Sequence, residues 1–242
     1  MVTTKEKFWA SRTTFPIDHY ILLFLLSVLF PILLTCCNSF KHKPESTKEI
    51  STYGASTDNQ EYMSMLLGEH VKWLSTAGKE GTRARLIGKY LGSINIKGAI
   101  LDKAYLSHVN FYDANLDDAS FKYAQMRYNK LNSCSLRNAD FFHAKLDHTQ
   151  FRRSTLYRAN FRNASIRRAN FEGANLSRAD FSHSMGINTS FRGSDLRYAD
   201  FGWARLAGAD FTGADLRNAD LRYADFDGAI FKDAKVDGAR FE

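Results

Sequence analysis

A five-residue repeat constrains the fold of this chain more than any other feature of its sequence. Every fifth position from Ile96 to Phe241 is large and apolar, with the exception of Gly186, and Ala occupies 21 of the 30 positions that lie two residues before these sites. A helix needs apolar residues every 3.6 positions and a strand alternates every two, so a period of five suits neither element. Fixed self-similarity of this kind predicts a solenoid, in which each unit stacks on its neighbours around a continuous core.

Each pentad has an inward and an outward set of positions. With the large apolar residue at position i, we expect i and i−2 to face the core, and i−1, i+1 and i+2 to face water. Gly occupies seven of the i+2 positions, and Asn or Asp occupies many others. These residue types tolerate a positive φ and favour turns. One corner in every pentad predicts a polygonal coil.

A longer period indicates how many sides the coil has. Twelve Phe and three Leu occupy the i positions whose numbers end in 1, whereas the i positions ending in 6 hold one Phe, Phe226. Large and medium residues therefore alternate from side to side, which requires an even number of sides. Four pentads per coil would stack Phe on Phe along two opposite sides. The sequence alone leaves six sides open as an alternative.

The repeat has the pattern A-[DN]-[LF]-x-x and resembles the pentapeptide-repeat family over about 150 of the 242 residues. The resemblance implies an all-β fold, a right-handed quadrilateral β-helix, and the handedness comes from the family alone. Thirty pentads at four per coil give about 7.5 coils, roughly 36 Å long at ~4.8 Å between stacked strands. The pattern is clearest in Ala139-Asp140-Phe141, Ala159-Asn160-Phe161, Ala174-Asn175-Leu176, Ala199-Asp200-Phe201 and Ala214-Asp215-Leu216.

The start of the chain is of a different kind. A basic tail, 1–20, precedes an uncharged run, 21–37, which at ~1.5 Å per residue just reaches across a bilayer core. We predict a transmembrane or signal-anchor segment here. The alternatives are a lipoprotein with Cys36 as the lipidation site, a cleaved signal peptide, and a buried soluble helix.

The orientation of this segment is weakly determined by charge. Three basic residues precede the apolar run and three follow it before residue 49. The order of a basic stretch followed by an apolar run is typical of export signals. We therefore expect a single-pass membrane protein with its repeat domain on the extracytoplasmic side.

Three segments follow the apolar run. Residues 38–57 form a polar linker, residues 58–78 an amphipathic capping helix, and residues 84–242 the β-helix. Asp58 and Glu61 are spaced as a capping box, and Gly78 supplies a stop. The open N-terminal end of the solenoid is the expected partner of the apolar helix face, with a membrane surface as the alternative. This face comprises Tyr62, Met65, Leu66, Trp73, Leu74 and Ala77.

Gly186 is the one interruption of the apolar i series, and it lies in a column that is otherwise Leu-rich. A missing side chain in a packed column leaves space that something must fill. We expect either a local bulge that turns Met185 or Ile187 inward, or a small cavity.

The sequence carries no recognisable catalytic apparatus. It contains no C-x-x-C, H-E-x-x-H or Gly-rich phosphate loop, and Cys134 occupies an inward i−2 position where Ala is usual. A rod filled by its own side chains offers no concavity for catalysis. We therefore predict a non-enzymatic protein with no catalytic residue, no cofactor and no metal.

Two outward-facing sets are candidate contact surfaces. The first, the Arg belt, is a mid-rod cluster that could meet phosphate, lipid headgroups or an acidic protein. The second, the aromatic column, is a row of side chains at position i+2, each one coil from the next. The Arg belt comprises Arg152, Arg153, Arg158, Arg162, Arg167, Arg168 and Arg178, and the aromatic column comprises Tyr123, His143, Asn163, His183, Trp203 and Tyr223.

These features predict a membrane-tethered, non-catalytic interaction or structural scaffold, whose partners are the membrane and a protein or anionic ligand. Some pentapeptide-repeat proteins protect topoisomerases by resembling DNA, which is the alternative function that the resemblance implies. A DNA mimic needs a strongly negative rod, whereas this chain has a net charge of +7. Nucleic acid itself is not expected as a partner.

Overall fold

The computed structural model describes residues 56–242. The predicted tail 1–20, the apolar segment 21–37 with Cys36, and the linker up to residue 55 lie outside the described residues, so these assignments remain predictions. Within residues 56–242, no helix is both long enough and apolar enough to span a bilayer.

The repeat completes one coil in four pentads. Parallel bridges join each bridging residue to its equivalent four pentads on, from Arg85 and Tyr105 through to Asp220 and Arg240, and every bridging residue occupies position i−1. This register confirms the four-sided solution and excludes six sides. We number the sides 1 to 4 by the pentads centred on Leu101, Leu106, Phe111 and Leu116.

The coil contains less β structure than an all-β assignment suggests. In the described part of the chain each side contributes one bridging residue, and no extended strand forms. A turn occupies i+1 and i+2 of every pentad from Leu91 to Val236 and leaves no room for a longer strand. The handedness of the coil stays an expectation from the family resemblance.

Backbone hydrogen bonds account for four of the five amides in a typical pentad. The amide of Phe161 donates to Asp180 O at 2.6 Å, that of Asn163 to Ser182 O at 3.1 Å, and that of Ala164 to Phe161 O at 2.9 Å, while Asp180 N donates to Ala159 O at 3.0 Å. Three of these bonds join neighbouring coils and the fourth closes the turn. The amide at i+1 is the one left over.

The Asn or Asp of the repeat binds this remaining amide in many pentads. Asp180 Oδ1 accepts from Ser182 N at 2.8 Å, and Asp200 and Asn160 bind the amides of Gly202 and Arg162 in the same way. This is an Asx turn, in which the side chain satisfies a backbone donor two residues on. The [DN] of the pattern therefore has a structural role before any functional one.

Each corner needs a left-handed residue. Every fifth residue from Gly88 to Gly238, always at i+2, has a positive φ. A positive φ at the third residue of a hydrogen-bonded four-residue turn is typical of type II turns. Tyr, Trp, His, Arg and Lys occupy some of these sites, but Val, Ile and Thr occupy none. The restriction is therefore against β-branching rather than against size.

Gly193 tests this restriction. Its φ is +59°, and a Cβ added there would meet no atom within 4 Å, so a substitution probes the backbone alone. We expect Gly193→Val to lower the free energy of unfolding by about 1–3 kcal/mol, and Gly193→Asn to cost much less because Asn tolerates this region. Chemical denaturation of the two variants measures the difference. Equal losses would show that the corner does not select against β-branching.

The core consists of stacked rings, as the alternation of Phe and Leu predicted. On side 1, Phe181 lies 4.7 Å from Phe161 and 4.9 Å from Phe201, with ring planes within 5° of parallel. Phe171 and Phe191 on side 3 meet Phe181 edge-on at 5.7 and 5.5 Å. Offset-parallel and edge-to-face pairs are the two geometries that aromatic rings prefer.

Gly186 forms neither of the predicted irregularities. Its neighbour Met185 keeps the bridging register with Ser165 and Arg205, which excludes a bulge. The space is filled, since a Cβ on Gly186 would lie 2.8 Å from Leu206 Cδ2 and 3.2 Å from Ile166 Cδ1. Leu and Ile from the adjacent coils have taken up the volume that a side chain here would need.

Replacement of Gly186 by Leu should therefore destabilise the protein. Overpacking of a filled core costs about 1–3 kcal/mol, and we expect a loss in that range by chemical denaturation. The matched control is Leu206→Ala combined with Gly186→Leu, which returns the volume and should recover part of the loss. Stabilisation by the single substitution would mean that a cavity is present after all.

Helix α1, Ser56–Ser75, precedes the coil. The predicted helix was 58–78. The observed helix begins two residues earlier and also ends three residues earlier, so Asp58 lies in the first turn rather than at the N-cap. Gly78, with φ +86°, donates its amide to Trp73 O at 2.8 Å and closes the C-terminal end. The stop signal was thus placed correctly, but the helical hydrogen bonding ends earlier.

Helix α1 packs on the first coil. Met63 is fully buried, and Tyr62 and Leu66 pack against the core, whereas Met65, predicted to face inward, is 62% exposed. The Gln60 side chain donates to Asn95 O at 2.7 Å and accepts from Asn95 N at 3.3 Å. Those bonds satisfy backbone groups that would otherwise lie unpaired at the end of the coil.

Candidate interaction surface

The Arg belt does not form one site. Because each pentad turns a corner at i+1 and i+2, the seven residues are distributed over all four corners of the rod. No flat partner can meet more than a fraction of them at once. Arg152 and Arg153 lie at the corner after side 3, Arg158 and Arg178 after side 4, Arg162 after side 1, and Arg167 and Arg168 after side 2.

Several of the belt guanidinium groups already have partners. Arg152 forms a salt bridge with Glu172 at 3.0 Å. The guanidinium carbons of Arg158 and Arg178 lie 5.2 and 5.1 Å from the ring centroids of Tyr157 and Tyr198, within cation–π distance. These contacts engage three of the seven guanidinium groups within the protein and weaken the argument for an anion site.

The aromatic column, in contrast, is brought together by the fold at the corner after side 1. Tyr123 stacks on His143 with centroids 5.2 Å apart, and Trp203 stacks on Tyr223 at 4.6 Å. His183 lies 6.4 Å from Trp203 with its ring nearly parallel. Asn163 separates the column into two stacks. All six residues adopt the positive φ of their corner position, which fixes where each side chain leaves the backbone.

The stack around Trp203 is strongly exposed. Trp203 and Tyr223 are 58% and 63% exposed. Large aromatic side chains on a surface are enriched at protein interfaces, because they bury much area at little conformational cost. The column is therefore the better-formed of the two predicted surfaces.

A shallow groove of about 280 Å³ runs beside this stack. Gly202 at i+1 has no side chain, so the part of the groove beside the Asp200 carboxylate stays open. It is lined by Arg162, Asp180, Ser182, His183, Asp200, Gly202, Trp203, Asp220, Arg222 and Tyr223.

The acidic side of the groove is a column of carboxylates at position i−1. Asp220 is neutralised by Arg222, whose Nε and Nη2 donate at 2.9 and 2.7 Å, and by Arg240 at 2.6 Å. The hydrogen bond from Arg222 lowers the pKa of Asp220, and the same bond raises the pKa of Arg222, with a smaller contribution from the charge of Asp200. Among residues 56–242, neither Asp180 nor Asp200 forms a salt bridge.

Sequence reasoning missed a second aromatic stack, at the corner after side 2. His108 lies 5.0 Å from Tyr128, which in turn lies 4.7 Å from His148, with neighbouring rings within 15° of parallel. The same sorting by coil that identified the first column would have found this one. None of its three residues lines the groove beside Trp203.

Comparison with known proteins identifies the repeat. The family model for pentapeptide repeats matches in eight copies, over residues 91–127, 99–138, 134–173, 174–213 and 209–242, which together cover more than half of the chain. A comparison with curated protein sequences gave no match.

Three solved structures are similar to this chain, at low sequence identity and low TM-score. A trypsin-treated form of QnrB1, a plasmid-mediated fluoroquinolone resistance protein, is 20% identical with a TM-score of 0.38, covering 66% of this chain and 86% of its own. HetL, involved in heterocyst differentiation regulation in the cyanobacterium Nostoc sp. strain PCC 7120, is 24% identical with a TM-score of 0.24, covering 71% and 95%. Rfr23 from the cyanobacterium Cyanothece 51142 is 17% identical with a TM-score of 0.25, covering 73% and 99%. From the family match over residues 91–242, this chain belongs to the pentapeptide-repeat family.

Proposed function

We propose that this protein is a non-catalytic interaction scaffold, which presents the corner after side 1 to a protein partner. The observation that carries the proposal is the exposed stack of Trp203 on Tyr223 beside an open groove. The corner holds these rings at fixed positions along the rod. A partner would therefore meet a preorganised surface and lose little affinity to ordering it.

The interior of the rod supports a binding role rather than catalysis. In the pentads from Ile96 to Leu221 both inward positions are buried in the packed core, and the groove beside Trp203 lies just below the volume range of small-molecule sites. Its polar groups are spread along an open side instead of converging on one point. An extended surface of this kind suits a macromolecule.

The proposal includes membrane tethering, and the support for that part comes from the sequence alone. The uncharged segment 21–37 is long enough for a single span. An extracytoplasmic position for the rod is part of the same proposal.

The two alternative functions have weaker support. Anion binding through the Arg belt would require guanidinium groups that converge, and the seven residues lie at four different corners. Topoisomerase binding by DNA mimicry would require a strongly negative rod, and the chain carries a net charge of +7. Neither alternative is favoured by a contact in the described residues.

Quantitative co-purification tests the proposed surface. Full-length protein is cross-linked in the cells that produce it, and the proteins captured with it are compared by mass spectrometry with those of the Trp203→Ala/Tyr223→Ala double variant. We expect at least one partner to be depleted about tenfold or more, as loss of an aromatic hot spot of about 1.4 kcal/mol or more would give.

The matched control replaces exposed aromatics elsewhere on the rod. Tyr112 and Tyr198 lie at other corners and are similarly exposed, so the Tyr112→Ala/Tyr198→Ala variant removes comparable surface without touching the column. If the same proteins are captured with both double variants, or are depleted equally from both, the column is not the binding surface.

A further inference from the structure

The groove beside Trp203 has the chemistry of a receptor for an arginine side chain. This inference rests on the proposed function, because it names what a partner would place on the corner after side 1. Three features of the groove carry it: an incompletely covered indole ring, two carboxylates with no internal cation, and an open floor.

One face of the Trp203 ring is only partly covered. Tyr223 covers one side at 4.6 Å, whereas His183 lies 6.4 Å away on the other, near the upper limit for stacked rings. The five-membered imidazole is also too small to cover a nine-membered indole. Tryptophan is the aromatic side chain that binds cations most strongly through its face. The exposed part of this indole is therefore suited to a flat cation.

The carboxylates supply the complementary charge. Asp180 and Asp200 each use Oδ1 to accept a backbone amide at 2.8 Å, from Ser182 and Gly202 respectively. Their remaining oxygens have no salt-bridge partner within residues 56–242, unlike Asp140 in the same column, whose Oδ2 lies 3.3 Å from Lys122 Nζ. Two carboxylates one coil apart thus face the groove without a cation.

The charges of the groove favour a positively charged guest. Asp220, Arg222 and Arg240 form their own ion-paired cluster at one end. The side chains that line the groove comprise three Asp and two Arg, a net charge of −1 with His183 neutral, and two of these Asp residues, Asp180 and Asp200, have no Arg of the described residues beside them in a salt bridge. The charge of Asp200 contributes to raising the pKa of Arg222, but the side-chain hydrogen bonds of Arg222 are made to Asp220.

Gly202 keeps the floor of the groove open. A Cβ at this position would lie 3.1 Å from Asp200 Oδ1, so a longer side chain would start beside the carboxylate and take up part of the groove. The neighbouring coils carry Ser182 and Arg222 at the same position, so the opening is specific to this coil.

We propose that this groove binds the guanidinium group of an arginine in a partner protein, stacked on Trp203 and hydrogen-bonded to Asp200 and Asp180. Arginine fits better than lysine, since a planar guanidinium stacks on a ring and forms paired hydrogen bonds with a carboxylate. The occupant is an exposed basic segment of a protein.

Titration of the full-length protein with blocked peptides tests the assignment. The probe is a short peptide with one arginine, and the same peptide with citrulline or glutamate in its place serves as the neutral and the acidic comparison. Isothermal titration or NMR of the Trp203 indole N–H reports binding. We expect the arginine peptide to bind at least tenfold more tightly than citrulline, and Trp203→Ala and Asp200→Asn each to weaken it about tenfold.

Two controls keep the test specific. Asp225 is also a carboxylate at position i−1, and it accepts the amide of Asp227 at 3.1 Å, but it lies on side 2. The Asp225→Asn variant should therefore leave the affinity for the arginine peptide unchanged. Gly202→Leu should abolish binding by filling the groove. Equal affinity for arginine and citrulline, no binding of the arginine peptide, or preference for glutamate would each overturn the inference. If the arginine peptide fails while the Trp203→Ala/Tyr223→Ala variant still loses a partner, the inference is wrong and the proposed function stands.

Discussion

Replacement of Phe181 by Ala should lower the free energy of unfolding by about 3–5 kcal/mol. The side chain is fully buried and touches four rings, two stacked on it from the adjacent coils and two edge-on from the opposite column. Its loss removes both the burial and the stacking, and leaves a cavity that rings held by their own columns cannot collapse into. Denaturant unfolding of the variant against the parent measures the loss.

The matched control for Phe181 is Phe231→Ala. Phe231 stacks on Phe211 at 4.9 Å but is only partly buried. Because solenoid stability is a sum of units and nearest-neighbour contacts, this substitution should cost distinctly less. Equal losses at both sites, or a loss at Phe181 below the roughly 1 kcal/mol of an ordinary point substitution, would contradict the account of the core as an interlocked pair of Phe columns.

His70 should make the docking of helix α1 dependent on pH. The ring is fully buried, Nδ1 accepts from Ala84 N at 3.0 Å, and Nε2 lies 3.0 Å from Asp102 O, so the bonded form is the neutral Nε2–H tautomer. Burial is the main cause that lowers the pKa of His70, with Arg83 lowering it further and Asp102 opposing. Protonation at Nδ1 would convert the acceptor for Ala84 into a donor.

The direction of the pH effect follows from that lowered pKa. A histidine whose folded-state pKa lies below its ordinary value of about 6.5 binds more protons when unfolded. The stabilisation is therefore fully present above about pH 6.5 and is lost as the pH falls through that value toward the folded-state pKa. Hydrogen exchange of the Ala84 amide, compared at pH 7.5 and pH 5 after correction for intrinsic rates, should show loss of protection at the lower pH.

Substitution of His70 gives the largest change at this junction. His70→Leu leaves the Ala84 amide and the Asp102 carbonyl without partners, at about 1–3 kcal/mol for each group that stays buried. The pH dependence of protection should disappear in this variant. A pH response that persists without His70 would assign it to another group.

The architecture was predictable from sequence because the repeat records it directly. The alternation of Phe and Leu indicated an even number of sides, the Ala preference marked the inward position, and the Gly, Asn and Asp preferences at i+2 marked the corners. Rings that stack one coil apart, as in Phe161 and Phe181, confirm that logic. A property repeated at every coil is averaged over many sites, which makes such a signal robust.

Features that occur once were harder to predict. The volume missing at Gly186 is filled by the flexible ends of Leu206 and Ile166, and no pattern in the sequence states how neighbours repack. The inward face of helix α1 includes Met63 rather than Met65, because the angle at which the helix crosses the coil decides which residues are covered.

The same distinction, between features that repeat at every coil and features that occur once, applies to the candidate site. The aromatic column followed from the one-coil spacing of its members, and the structure brings them into stacks. The Arg belt was inferred from closeness in sequence, but in a coil equivalent positions of successive pentads lie on different sides, so Arg153 and Arg158 project from different corners. The groove depends on the absence of a side chain at Gly202, a feature that acquires meaning only once its neighbours are known.

Site-specific photo-cross-linking tests the central claim most directly. A photoreactive aromatic residue is placed at position 203 of the full-length protein in its own cells, and in a matched variant at position 193, which has the same positive φ and lies at the opposite corner. The account predicts a discrete protein adduct from position 203 and none from position 193. No adduct at 203, or the same adducts from both positions, would contradict a binding surface at this corner.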